Sequence, residues 1–585
     1  MNKKILYSFV LCLLIFSGAF GNPDSREIFH NNPGLKSEFL TLQKKFPQIV
    51  RVSDLVKTKS GNSMILVTIG KNSHDDKSGI LLVGSADGSY LPGSEVALKI
   101  AVKLAEQYGK VDSVTTMLNK HVLYIIPRLN PDAAEYYFKK IKFEHPYNNT
   151  PIDNDHDGLI DEDGPEDLNH DNMITIMRVK DPEGKYMIDP ENPLLLRKAD
   201  PAKGEKGEYK IYTEGIDNDS DGLFNEDGTG GVDINKNFPQ EYPAFKKNAG
   251  KFMESEPETR AVSKFLFDHR NIVLTLTYGL YDNLVNSPKP LPQRTMKPAS
   301  EPSQRRFGFS RKPVTKLNTK DIPYYKAIGD LYKKITGLTG KSTVYVNKDK
   351  GQGSFYKWVY FQRGILSLTT SLITIPEKPV KNNSKNDPQG KNPSKKMKNR
   401  SKGENDPSAM DKKWLEYFKA NNIPGYVEWK PYNHKQLGRV EIGGFAPFAK
   451  TTFLQKSIEQ LSDQQTKFIC SLFDKLPQIV VEDINVKPKG SNIFAVSAYI
   501  KNIGYLPTAT AHGEKTRLAK PVLVKFYLKK GELISGNKIT FIPALKGSGS
   551  AKKVEWLVHA PAGTKITLKV ISETAGRINR TVTLK

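Results

Sequence analysis

The stretch Gly231-Val232-Asp233-Ile234-Asn235-Lys236-Asn237-Phe238-Pro239 decides how the rest of the chain is read. An Asp-rich segment precedes it, and a helical pattern, Glu256–His269, follows it. Three further runs stand around it in order. Ile125-Ile126-Pro127-Arg128-Leu129-Asn130-Pro131-Asp132 comes before, Ser255-Glu256-Pro257-Glu258-Thr259-Arg260-Ala261 after, and Trp358-Val359-Tyr360 with Gly364-Ile365 further on. Between these runs the sequence predicts buried strands at Met64–Ile69, Gly79–Val83, Val122–Ile126, Ile272–Leu276 and Ile365–Ile373. Helices are predicted among them at Gly93–Tyr108, Glu256–His269 and Lys326–Ile335. Apolar, β-branched strands interleaved with amphipathic helices predict an α/β fold with helices on both faces of the sheet.

The four runs resemble motifs of the zinc carboxypeptidase family (peptidase family M14, carboxypeptidase A-like). Ile125–Asp132 resembles the strand-end "PxxNPDG", Gly231–Pro239 resembles "GVDLNRNFP", Ser255–Ala261 matches "SEPETRA", and the Trp358 and Gly364 runs resemble "DWxYxxxGI". The resemblance implies a mixed-sheet carboxypeptidase-like domain over residues 28–475. It is interrupted by an Asp-rich insertion at 150–230 and by basic insertions at 288–320 and 377–412. The Asp-rich insertion and the run Val440-Glu441-Ile442-Gly443-Gly444-Phe445 are similar to those of certain secreted bacterial relatives.

In this family a His and a Glu from an "HxxE" after the second strand, with a distant second His, hold Zn²⁺ and leave one position open for water. A Glu on the last strand takes the water's proton. Aligning Gly84-Ser85-Ala86-Asp87-Gly88-Ser89-Tyr90-Leu91-Pro92-Gly93 on its glycines puts Asp87 at the His position and Tyr90 at the Glu position. Thr277 stands where the distant His belongs, and Ser371 where the base Glu belongs. The nearby Glu95, Asp282, Glu377 and His269 restore no His–Glu–His set, since no His lies between His74 and His121. Zinc is therefore not expected here, and no catalytic residue is assigned. For substrate binding, Asn235 and Lys236 match the family's Asn-Arg pair that holds a peptide's terminal carboxylate, with Lys losing the bidentate fork. Tyr345 matches the family's mobile tyrosine. The Arg that would polarise the scissile carbonyl is absent from Leu129 to Met177. Asn235 has a second reading, as the tie of a strand-to-helix turn.

The insertion carries three acidic runs. Asp153, Asp155, Asp157 and Asp161 belong to the first, Asp167, Asn169 and Asp171 to the second, and Asp217, Asp219 and Asp221 to the third. The first and third are near-copies of the form DNDxDGLxxED. Alternating carboxylates followed by Gly, with a backbone carbonyl and a further acid, form an oxygen-only shell suited to calcium. The runs resemble the calcium loops of dockerin and thrombospondin-type repeats, so structural calcium is expected. The competing reading is a solvated acidic loop.

Residues 1–21 read as a signal peptide, with a basic start, an apolar run from Ile5 to Phe16 and a small-x-small site at Ala19-Phe20-Gly21. A secreted or periplasmic protein without an integral membrane segment is expected. Only Cys470 would remain after cleavage, and it sits in an apolar helical pattern, so no disulfide is available. The formal charge of +25 is concentrated in Lys289–Lys320 and Lys378–Lys402, each with nine Lys/Arg and one acid. Both stretches are rich in Pro, Asn and Ser and read as flexible insertions, not as a nucleic-acid surface. From 476 to 585 short strands alternate with Gly/Pro/Asn turns, at Ile479–Val486, Ile493–Asn502, Val522–Lys529, Lys538–Ile542, Lys552–His559 and Lys565–Ser572. That pattern predicts a β-sandwich accessory domain. The sequence admits three functions. The first is a catalytically inactive protein binding a peptide or cell-wall peptide through its free carboxylate. The second is an active zinc-dependent metallocarboxypeptidase with an altered metal site. The third is a calcium-stabilised scaffold or adhesion protein.

Overall fold

The computed structural model describes residues 29–71, 76–153, 158–220, 222–225, 227–289, 314–338, 351–372, 407–452 and 457–585. Strands β1 (Val50–Lys57), β2 (Ser63–Ile69), β3 (Gly79–Val83), β4 (Val122–Ile126), β9 (Ile272–Tyr278) and β10 (Leu366–Thr370) form one sheet in the order β1-β2-β4-β3-β9-β10. β3, β4, β9 and β10 run parallel, and β1 and β2 join antiparallel. The sheet is therefore mixed. β3 (GILLV) and β4 (VLYII) are buried at every position, as strands covered on both faces must be. Successive residues alternate between two cores. Ile80 and Leu82 pack on one side with helices α1 (Asn32–Lys45), α2 (Pro92–Gln107), α3 (Asp112–Lys120), α4 (Pro131–Glu135), α6 (Ile322–Thr336) and the helix Ile458–Phe473. Leu81 and Val83 pack on the other side with α5 (Pro257–Asp268) and Phe355–Trp358. Helices on both faces follow directly from these two apolar sides.

A second six-stranded sheet, not foreseen from the sequence, has the order β11-β12-β5-β8-β6-β7. Its strands β5 (Ile176–Lys180), β6 (Tyr186–Asp189), β7 (Asn192–Lys198) and β8 (Tyr209–Thr213) lie inside the Asp-rich insertion. β11 (Tyr426–His434) and β12 (Gly438–Phe445) come from far along the chain. β12 pairs with β5, Ile442 opposite Met177, and a small core of Met177, Val440 and Ile442 backs the sheet. The predicted basic insertion 377–412 ends inside the helix Pro407–Asn421. Its earlier residues, and most of 288–320, lie outside the described residues.

The C-terminal region forms two four-stranded antiparallel sheets. With β13 (Ile479–Gly490), β15 (Val522–Leu528), β17 (Ile539–Ile542) and β18 (Ser550–His559), they run β13-β14-β18-β16 and β17-β15-β19-β20, and they enclose a core around Val496, Ile500, Val524, Trp556 and Leu568. β14 (Ile493–Asn502) and β19 (Lys565–Ser572) keep their predicted bounds. β16 (Glu532–Ser535) and β20 (Gly576–Thr583) were not predicted.

Candidate functional site

The parallel strands point their C-terminal ends to one side of the sheet, where the loops that leave them converge. Asp87 and Tyr90 follow β3, Asn130 follows β4, Thr277 ends β9, and Ser371 follows β10. Register brings them together, since Thr277 pairs with both Val83 and Thr369. The loop from Gly84 to Gly93 returns tightly on itself. A Cβ at Gly93 would lie 1.6 Å from the Gly84 carbonyl oxygen, so glycine is required there.

Of the four positions of the sequence alignment, Asp87 and Tyr90 are tied up by internal hydrogen bonds. Asp87 is buried, and its Oδ1 accepts from Asn235 Nδ2 at 3.0 Å while its Oδ2 accepts from the Leu280 N–H at 2.6 Å. Tyr90 is fully buried, and its hydroxyl donates to the Ser371 carbonyl. Burial raises the Tyr90 phenol well above its ordinary pKa, with Tyr332 and Asp87 adding to the shift. Thr277 is buried, and its hydroxyl has no hydrogen-bond partner among the described residues. Beneath Tyr90, Tyr332 is fixed by Thr370 Oγ1 and Gln465 Nε2, both at 3.1 Å, and Tyr278 donates to Gln465 Oε1 at 3.1 Å.

The neighbouring acids and the nearest His are placed elsewhere. Glu95 accepts from the His30 N–H at 2.9 Å and pairs with its ring at 2.8 Å. Asp282 caps a turn by accepting from the N–H groups of Leu284, Val285 and Asn286. His269 packs on Phe265 and Tyr124. Arg128, buried, donates to Ser94 Oγ, Asn32 Oδ1 and the His30 carbonyl, and so anchors the N-terminal helix. Glu377 and Tyr345 lie outside the described residues.

Asn235 is buried and used at both ends, giving its amide to Asp87 and accepting from the Phe355 N–H at 3.0 Å. Lys236 reaches a cleft of about 580 Å³ lined also by Asp87, Asp233, Glu144, Phe445 and Lys450. Lys236 Nζ lies 3.1 Å from Asp233, and Lys450 pairs with Asp411 at 2.7 Å while covering the Phe445 ring. Glu144 accepts from the Phe448 N–H at 3.0 Å, and burial pushes its carboxyl up. The residues sequence reasoning missed, Glu144, Phe445 and Lys450, come from the wall built beside the second sheet. The run ending at Phe445 was the only signal pointing there.

The acidic near-copies face one another in a reciprocal arrangement. Asp163 Oδ2 accepts from the Asn225 N–H at 2.6 Å, and Asp227 Oδ2 accepts from the equivalent Asp161 N–H at 3.2 Å. Within each copy the first Asp accepts from the Gly N–H: Asp153 from Gly158 at 3.1 Å and Asp217 from Gly222 at 3.0 Å. In the middle run, Asp167 accepts from the Asp171 and Asn172 N–H groups, and Asn169 Nδ2 donates to Asp171 at 3.2 Å. Asp219 is exposed, and Asp155, Asp157 and Asp221 lie outside the described residues. Among the described residues no group of three or more His, Cys, Asp or Glu is placed to hold a metal ion, and no helix is long and apolar enough to cross a membrane.

Compared with known proteins, a family model described as zinc carboxypeptidase matches residues 36–378, more than half of the chain. A second model, described as a domain of unknown function (DUF8731), matches residues 478–583. Among solved structures, thrombin activatable fibrinolysis inhibitor is similar at 14% identity and TM-score 0.33, over 58% of this chain and 65% of that one. The carboxypeptidase A of Helicoverpa armigera is similar at 14% identity and TM-score 0.35, over 58% and 64%. A metallo-carboxypeptidase of Burkholderia cenocepacia is similar at 13% identity and TM-score 0.30, over 58% and 60%. The chain thus spans less than two thirds of the length of each of these three proteins.

Proposed function

Because the chain belongs to the zinc carboxypeptidase family, we propose that it is an exported, non-hydrolysing member that binds a peptide or cell-wall peptide by its terminal carboxylate. One observation carries this reading. Of the positions aligned with the family's zinc ligands, Asp87 has both oxygens accepting hydrogen bonds, from Asn235 and Leu280, and Tyr90 turns its hydroxyl onto the Ser371 carbonyl. A phenol kept protonated by burial, a threonine hydroxyl and a doubly hydrogen-bonded carboxylate do not fit zinc, which takes imidazole, thiolate or free carboxylate donors. What remains open is the cleft, with Lys236 and Lys450 as its cations and Phe445 as apolar wall. Lys236 can hold a carboxylate as a point charge, at the expense of its pairing with Asp233.

Titration calorimetry with a peptide and its C-terminally amidated twin tests the reading. The free acid is expected to bind, with affinity lost on amidation and lowered roughly tenfold by Lys236→Ala. Equal affinity for both peptides, or steady hydrolysis of the free acid with one tight zinc per chain, would overturn it. Export is supported by the pattern of residues 1–21, and mass measurement of the N-terminus of cell-exported protein checks it.

We also propose that the near-copy loops hold structural calcium. Their alternating oxygen donors support this, as does the crowding of carboxylates that a cation would relieve. Retention of calcium after dialysis, with a melting temperature that falls on adding EDTA and returns with Ca²⁺ and not Mg²⁺, is the expected result. An unchanged melt leaves the loops as a solvated acidic face.

A further inference from the structure

We propose that the loop 243–253 docks the protein on an anionic lipid surface. The loop lies between the segment that carries Lys236 and helix α5, and its sequence, Pro243-Ala244-Phe245-Lys246-Lys247-Asn248-Ala249-Gly250-Lys251-Phe252-Met253, contains three lysines and no acid. Phe245 is completely exposed, at 106% of its reference area, and Phe252 and Met253 follow at 59% and 53%. Lys246, Lys247 and Lys251 are exposed around them.

Exposed apolar side chains on a floppy segment would mean little, but this loop is pinned at many points. Asn237 Nδ2 donates to the carbonyls of Ala249 (2.7 Å) and Phe252 (3.0 Å). Asn248 Nδ2 donates to the Gly231 carbonyl at 3.0 Å, and the Tyr242 hydroxyl to the Gly250 carbonyl at 2.6 Å. The Asp233 N–H donates to the Asn248 carbonyl at 2.8 Å, and the Lys246 N–H to the Pro243 carbonyl at 3.1 Å. Ala249 is buried as the anchor of the loop. Phe245 is held at φ 63°, a left-handed conformation that costs a bulky aromatic residue energy and recurs at ligand-contacting positions.

A fixed backbone thus presents two phenylalanines and a methionine to solvent, with three exposed lysines in the same loop. That combination complements one partner chemistry closely. Aromatic and thioether side chains enter the headgroup and acyl boundary of a bilayer, while lysines at the same level meet anionic headgroups. A soluble acidic polymer would satisfy the lysines alone and leave the phenylalanines in water. The loop is tied to Asp233, which lines the peptide cleft, so docking would bring that cleft to the same surface.

The test is sedimentation of the full-length protein with vesicles of phosphatidylcholine alone and of phosphatidylcholine with phosphatidylglycerol, compared with binding to heparin. Because the chain carries +25, charge attraction by itself is not informative. The deciding variant is Phe245→Ser/Phe252→Ser, which leaves the charge unchanged. It is expected to weaken binding to anionic vesicles at least about tenfold and to leave heparin binding and the melting temperature unaltered. Lys246→Glu/Lys247→Glu is expected to weaken vesicle binding about tenfold or more. In Phe245→Trp, the indole emission is expected to shift to the blue on adding anionic vesicles and to be quenched by brominated lipid. Unchanged vesicle binding by the double Phe variant, or an indole that stays in water, would overturn the proposal in favour of an acidic polymer held by charge alone.

Discussion

At the scale of single residues, the alignment that puts Asp87 and Tyr90 at the family's zinc positions rests on two glycines. Gly84 and Gly93 cannot be anything else at their close approach, and counting between them placed Asp87 and Tyr90. What the sequence could not convey is that Asp87 and Asn235, 148 positions apart, are hydrogen-bonded. Side chains chosen to satisfy one another across a fold leave no periodic trace. The same holds for Glu258 in the motif that opens α5. It is fully buried, and burial, reinforced by the charges of Asp132 and Glu256, pushes its carboxyl up to about 7 from an ordinary 4.5. A carboxyl whose folded pKa lies above its unfolded value favours the folded state only while it is protonated. Stability is therefore lost as pH rises from about 4.5 through 7, by an amount of order 3 kcal/mol at pH 8. Glu258→Gln removes this dependence, so its denaturation midpoint should gain on wild type between pH 5 and pH 8. Parallel curves for the two proteins across that range would show that Glu258 ionises freely.

At the scale of elements, the first sheet was legible and the second was not, for the same physical reason. Strands buried on both faces, such as β3 and β4, must be continuous apolar runs, and these stand out in any window. The second sheet buries little of either face. β6 and β7 are largely half-buried or exposed, and β12 finds β5 some 260 residues away, so neither periodicity nor proximity announces them. Its stability should rest on the three buried residues Met177, Val440 and Ile442. Ile442→Ala is expected to cost about 2–4 kcal/mol, read by urea denaturation. It should also weaken peptide binding, because β12 ends in Phe445, which lines the cleft. A variant destabilised to that extent with undiminished binding would separate the sheet from the cleft.

At the scale of the whole molecule, the C-terminal sheets were recognised from their alternating strands, but their attachment was not, because it is made by a connection that reads as an ordinary turn. Between β14 and β15 (Val522–Leu528) the chain sends the short helix Ala511–Lys515 into the carboxypeptidase-like domain. Asp321, fully buried at the start of α6, accepts from the N–H groups of Ala511 (2.7 Å) and His512 (3.1 Å) and from the Tyr360 hydroxyl (2.7 Å). His512 stacks on Tyr360 and bonds the Phe361 carbonyl at 2.9 Å, and Thr510 Oγ1 donates to the Gly364 carbonyl at 2.7 Å. Leu506 enters the main core of the first domain. A joint with this many buried partners should make the two parts unfold together, in a single calorimetric transition. Asp321→Ala strands the donors of Ala511, His512 and Tyr360 at once, a penalty of several kcal/mol by the usual cost of an unsatisfied group. Little of that penalty falls inside the C-terminal sheets, whose core is separate. The expected trace is therefore two transitions, with the earlier one belonging to the carboxypeptidase-like domain. A single transition shifted to lower temperature would instead mean that the remaining contacts, Leu506 and Thr510 among them, are enough to keep the two parts cooperative.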